Sequence, residues 1–245
     1  MRMSVLAPSA KAEHHCRNRL LAQLAPTDYD RLRPHLKPVD LPERFVLYAA
    51  RRPIDFIYFL ESGVASLVVT MKSGKAMEVG TIGNEGLVGL PLAFGEGAGQ
   101  IGAYMQVSGS GLRIPAAVFR QEMERSAAMR ALLLHYAAAY FNQMSQSAAC
   151  TFLHPLEQRC CRWLAATADR MPSDQFVLTQ EFLAMMLGVR RSSVSAVMSD
   201  LQRKGLLRYS RGRVTILDRK ALQASACECY GIIKSETDRL LGGNA

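Results

Sequence analysis

The chain has 245 residues, 49% of them hydrophobic and 21% charged, and a formal net charge of +9. That apolar content excludes wholesale disorder, and the length fits one large domain or two modest ones. No apolar run approaches the ~20 residues of a membrane span, and Met1 to Ala12 holds little of a signal peptide's apolar stretch, so the expectation is a cytoplasmic protein with no membrane contact.

Residues 1–22 read as an N-terminal extension. A helical pattern covers His14 to Leu36, with a helix start at Thr27 and Asp30 just after Pro26, and Pro34 and Pro38 end it. The texture then changes. Over residues 23–125 short apolar runs alternate with Gly and polar turns: Phe45 to Tyr48, Ile57 to Leu60, Ala65 to Thr70, Met77 to Val79, Ala103 to Val107 and Leu112 to Ile114. Ser73-Gly74-Lys75 reads as a hairpin turn. Strands at this spacing predict an antiparallel sandwich or barrel.

From Ala116 the period becomes helical, and no Gly or Pro occurs until Pro155. Ser126 marks a break between a short helix and a long one over residues 126–153. Leu133, Ala137, Tyr140 and Met144 recur on the long helix at a heptad-like spacing and are assigned to dimerisation. Two adjacent registers fit almost as well, one of them including Leu134, Ala138, Phe141 and Ala148, and packing on the chain's own sheet is the alternative use of such a face. His154-Pro155 reads as a hinge. Residues 154–222 form the next unit, and residues 223–245 a helical C-terminal extension.

The positive charge is unevenly placed. Residues 155–220 carry twelve Lys and Arg against six Asp and Glu, which suits a polyanionic partner. Within them, Gln180 to Lys204 has the spacing of a helix-turn-helix. Ala184 is small enough for two helices to cross, and Gly188 permits the left-handed turn. Leu183, Leu187, Val194 and Val197 supply a shared core, and Thr179 caps the first helix. Arg190, Arg191, Ser192, Ser195 and Ala196 then fall on the base-reading face of the second helix, as a helix entering the major groove requires. Thr179, Gln180, Ser193 and Ser199 are assigned to phosphates. Two short strands follow Gly205, around Ser210-Arg211-Gly212, and make a winged helix-turn-helix. Arg208, Arg211 and Arg213 are its phosphate contacts.

The order of β-rich domain, long helix, hinge and winged helix-turn-helix resembles the Crp/Fnr superfamily of bacterial transcription regulators. The resemblance rests on LTQEFLAMMLGVRRSSVSAVMSDLQRKGLL (Leu178 to Leu207), VLYAARRPIDFIYFLESGVASLVV and GNEGLVGLPLAFG. It implies an α+β chain with a jelly-roll sensor, a long dimerisation helix and a C-terminal winged domain. It also implies a homodimer on palindromic double-stranded DNA, with RNA polymerase as a further partner. The reading face departs from the best-known branches, with Ser192 where an acid is usual and Ala196 where arginine is usual.

The resemblance places an effector pocket at Gly89, Leu90, Gln100, Ile101, Gln143 and Met144. Cyclic-nucleotide sensors have Gly-Glu-Leu, Arg-Ser and Thr-Ser at these places. An aliphatic Leu90 cannot hold a ribose hydroxyl, and neutral Gln100 cannot offset a phosphate charge, so cyclic AMP is not the expected effector. The family's iron–sulfur clusters use a clustered N-terminal set of cysteines, and only Cys16 lies near that end. His14, His15, Cys16, His35, His135 and His154 have no diagnostic haem spacing. Cys160 and Cys161 are adjacent on a helix and face apart, while Cys227-Glu228-Cys229 is a redox or soft-metal candidate for which plain packing is preferred. No metal site and no cofactor are therefore assigned. No phosphate-binding Gly loop, nucleophile motif or H-E-x-x-H is present, so no enzyme is expected. The expected function is that of a DNA-binding regulator. The alternative is a small-molecule or redox sensor that acts through a protein partner.

Overall fold

The structure is a computed structural model, and it describes residues 16–74 and 76–241. His14, His15 and Lys75 lie outside the described residues. The described residues begin with two short helices, α1 (Arg19–Ala22) and α2 (Pro26–Leu32), and a 3-10 turn (Arg33–His35). The single helical stretch expected there is interrupted at residues 23–25. Pro26 itself starts α2, because its missing N–H costs nothing at the first helical position. Thr27 is thus inside the helix. Asp28, instead of facing solvent, is buried and accepts a 2.7 Å hydrogen bond from Ser126 Oγ.

Eight strands follow: β1 (Lys37–Leu41), β2 (Val46–Tyr48), β3 (Phe56–Leu60), β4 (Val64–Thr70), β5 (Ala76–Ile82), β6 (Leu87–Val88), β7 (Ile101–Val107) and β8 (Gly109–Pro115). They form two antiparallel four-stranded sheets, in the orders β1-β8-β3-β6 and β2-β7-β4-β5. Both bury aliphatic and aromatic side chains in one core, among them Leu41, Ile57, Phe59, Leu60, Ile82 and Met105. Each of the six expected apolar runs falls in a strand, except that Phe45 precedes β2. β1 and β6 were not foreseen. β1 contains Pro38, which pairs with Leu112, and β6 has only two residues.

Two helices close this layer. α3 (Ala116–Arg125) ends at Ser126, whose hydroxyl accepts from Met129 N at 3.1 Å and caps α4 (Ala127–Leu153). Pro155 ends α4, as the sequence predicts. Next come α5 (Leu156–Asp169), β9 (Gln175–Val177), α6 (Gln180–Leu187), α7 (Arg191–Arg203), β10 (Leu207–Ser210), β11 (Arg213–Ile216), α8 (Arg219–Ala224) and α9 (Cys229–Leu240). β10, β11 and β9 make a small antiparallel sheet. A second core, built on Cys160, Cys161, Trp163, Leu164, Leu183, Val194 and Leu201, holds this half together, and Val64 and Val107 of the barrel join it. Among the described residues no helix is long and apolar enough to cross a membrane.

Candidate nucleic-acid interface

The sequence places α6 and α7 through three local devices. Thr179 Oγ1 accepts from Phe182 N at 3.2 Å and caps α6, where Glu181 sits in the first turn. Gly188 ends α6 at φ +65°, a conformation that penalises any residue with a Cβ. Leu183, Leu187, Val194 and Met198 are buried between the helices, and Ala184 leaves room for the crossing. Burying four such side chains stabilises the pair by about 1.5–3 kcal/mol each.

This scaffold turns one side of α7 outward. Arg190, Arg191, Ser192, Ala196 and Ser199 are exposed, and Ser193 is half-buried. Ser195 differs from its expected role, because its hydroxyl is hydrogen-bonded to the Gln180 amide oxygen and ties α7 back to α6. Thr179 and Gln180 are both half-buried and both engaged in holding the helix pair. On the wing, Arg211 and Gly212 have φ of +48° and +76° between β10 and β11, the two positive values of a tight hairpin turn. Arg208, Arg211 and Arg213 are exposed around that turn.

The long helix α4 has two apolar faces, and the structure separates them. Leu133 and Tyr140 are buried against the barrel of the same chain, with Ala137 and Met144 packed beside them. The face assigned to dimerisation is thus spent inside the chain, and that assignment is corrected. The neighbouring register remains outside. Leu134 is 59%, Phe141 70% and Phe152 88% exposed, and Ala138, Ser145 and Ala148 are exposed between them. These six alternate at spacings of four and three along the helix.

The barrel and the C-terminal half meet through a buried ion pair that no local pattern announces. Arg170, at the end of α5, donates from Nη2 to Glu85 Oε1 at 2.6 Å and from Nε to Glu85 Oε2 at 3.1 Å. Its Nη1 donates to Thr81 Oγ1 at 2.8 Å. Nearby, Phe182 of α6 lies against Tyr104 with ring centroids 6.3 Å apart, under the Arg44 guanidinium. Between β5, α4, α5 and α6 lies a cavity of about 380 Å³, lined by Glu78, Met144, Arg162, Trp163 and Met186 among others. Burial pushes the Glu78 carboxyl up to about 7, against the opposing hydrogen bond from Ser66. Trp163 also faces the Glu78 carboxylate, and among the described residues Arg162 Nε is buried there without a hydrogen-bond partner.

The six residues expected to form one effector pocket are not brought together at this cavity. Met144 lines it, but Gly89, Leu90, Gln100 and Ile101 do not. Gly89 opens a 3-10 turn at φ +115°, and Leu90 is buried in the barrel core. Gln100 accepts from Arg51 Nε at 3.0 Å, and Gln143 donates to the Thr81 carbonyl at 2.7 Å.

No curated protein matches the chain in sequence. Residues 158–225 match the model of the Crp-like helix-turn-helix domain. This segment is a Crp-like helix-turn-helix domain. It begins inside α5, takes in α6, α7 and the wing, and leaves α9 outside. Over most of its length the chain shares a fold with solved structures of Crp/Fnr-type regulators. A putative transcriptional regulator of the Crp/Fnr family from Eubacterium rectale superposes with a TM-score of 0.64 at 17% identity, covering 84% of this chain and 96% of that one. FixK2 from Bradyrhizobium japonicum gives 0.66 at 13%, covering 78% and 98%. A transcriptional regulator of the CRP family from Thermus thermophilus gives 0.61 at 21%, covering 78% and 96%. The Crp-like domain is therefore joined here, as in those proteins, to a β-barrel and a long helix.

Proposed function

We propose that this chain is a homodimeric, sequence-specific DNA-binding transcription regulator of the cytoplasm, with no enzymatic step of its own. The carrying observation is the outward face of α7. Arg190, Arg191, Ser192, Ala196 and Ser199 stand exposed on a helix whose opposite side is locked into a buried core. Arginine pairs bidentately with guanine O6 and N7, serine bonds to several base edges, and Ala196 suits a thymine methyl. Arg208, Arg211 and Arg213 add phosphate contacts that set register without reading sequence. In this reading RNA polymerase is the protein partner.

The dimer forms along Leu134, Ala138, Phe141, Ser145, Ala148 and Phe152 of α4. Apolar side chains left in water at heptad spacing gain by burial against the same row of a second copy. Two copies related by a two-fold axis then present two α7 helices to a palindrome. The controlling ligand occupies the cavity between barrel, α4 and the Crp-like domain, where it would meet Arg162 Nε and the Glu78 carboxyl.

Selection of bound sequences from a random DNA library tests the reading. A palindrome with half-sites about one helical turn apart supports it. No enrichment over input removes it and leaves a sensor working through a protein partner. Phe141→Asp should convert a particle of twice 27.0 kDa into a monomer in light scattering, and an unchanged mass would dismiss the seam.

A further inference from the structure

Four metal-ligating side chains converge at the hinge end of α4, next to the cavity that Thr151 and Arg162 line. Cys150 lies in the last turn of α4, and His154 is the residue that caps its end. Cys227 lies in the loop after α8, and Cys229 opens α9. Their donor atoms all lie within 4.8 Å of one another. Cys150 Sγ and Cys227 Sγ are 3.5 Å apart, and so are Cys229 Sγ and His154 Nδ1. The three cysteines are buried.

We propose that these four side chains form a closed tetrahedral site for a single divalent zinc-type ion, which clamps the C-terminal helix α9 to the hinge end of α4. Bonds of roughly 2.3 Å to sulfur and 2.0 Å to nitrogen place tetrahedral donors about 3.5–3.8 Å apart. The two 3.5 Å pairs already stand at that spacing. The remaining distances need only a small contraction, whereas a multi-iron cluster would spread its thiolates further. Three thiolates and an imidazole favour a borderline-soft ion over magnesium or calcium. Four protein ligands leave no open position for water, which is the pattern of a structural site. Each thiol gives its proton to solvent as it ligates.

The surroundings fit the same chemistry. With Nδ1 turned to the ion, His154 presents Nε2 toward Glu228 Oε1, 3.7 Å away and beyond hydrogen-bond distance, from where a small rotation of the exposed carboxylate would let it hold the ring in the ligating tautomer. Gln146 Nε2 donates to Cys229 Sγ at 3.1 Å, as a donor beside a coordinated thiolate should. A plain thiol core explains neither group, since a packed hydrophobic cysteine needs no amide donor and no histidine–carboxylate pair. The sequence hides the site, because Cys150 and His154 are spaced as one helical turn while the other two ligands lie 73 or more residues later.

The test uses untagged full-length chain, purified with reductant and dialysed against a weak chelator. Elemental analysis should find one zinc per chain. Replacing it with cobalt should give the sulfur-to-metal charge-transfer and intense d–d bands of a tetrahedral thiolate site. Cys229→Ser should abolish both, and Cys16→Ser should change neither. Should Cys229→Ser fail to fold, Glu228→Gln decides, since it leaves the four ligands in place and should weaken zinc binding on the order of 10–100-fold. Chain without metal, metal retained by Cys229→Ser, an unchanged affinity in Glu228→Gln, iron with inorganic sulfide, or a Cys150–Cys227 disulfide in place of metal would each overturn the proposal.

Discussion

The outer face of α7 and the polar groups of the barrel make opposite use of the same kinds of side chain. On α7, Arg190, Arg191 and Ser192 are exposed. At the barrel, Glu85 is held by two nitrogens of Arg170 and Gln143 by Thr81. A polar group facing water can trade it for a base edge at little cost, while one already paired inside the chain must first give up its partner. The first arrangement suits binding, and the second suits holding two domains in a fixed relation.

The contrast can be broken at the barrel first. Glu85→Ala leaves the Arg170 guanidinium buried and unpaired, which should cost about 3–5 kcal/mol in chemical denaturation. Arg208→Ala, on the exposed wing, should stay within about 0.5 kcal/mol. Equal losses would erase the distinction between the two regions.

Glu78 sharpens it through pH. Its folded value of about 7 lies above the ordinary 4.5, so between those values the folded chain keeps a proton that the unfolded chain has released. The contribution of Glu78 to stability then falls as pH rises from about 4.5 to 7 and levels off above. Glu78→Gln removes this contribution, so its thermal midpoint should gain on the parent from pH 5 to pH 8. Parallel curves would show that the carboxyl of half-buried Glu78 is not shifted upward in the folded chain. The smallest effect belongs to the wing, where Arg211→Ala should reduce the slope of log affinity against log salt by about 1 and weaken all DNA sequences alike.

The Crp-like domain was legible because its determinants are local. Thr179, Ala184, Gly188 and Val194 lie within sixteen consecutive residues, and each answers a demand of helix capping, crossing or turning. The barrel was legible as strands but not as a sheet order. β1 pairs with β8, Lys37 opposite Arg113, and nothing near Pro38 announces that partner. The two registers of α4 were indistinguishable by spacing, since only the barrel decides which face it covers. Ser195 looked like a reading residue because its place on the helix is right, yet Gln180 on the previous helix binds its hydroxyl. Where the effector residues sit is likewise set by the tertiary fold, which puts Leu90 in the barrel core and bonds Gln143 to Thr81.

Whether the outer face of α7 reads DNA is decided by titrating the chain and its Arg191→Ala variant with the selected site and a scrambled one at several salt concentrations. Parental affinity should fall steeply with salt on both DNAs. Arg191→Ala should lose about 1–3 kcal/mol on the selected site alone. Equal binding of both proteins to the selected site, or an equal loss on the scrambled DNA, would contradict DNA reading by that face.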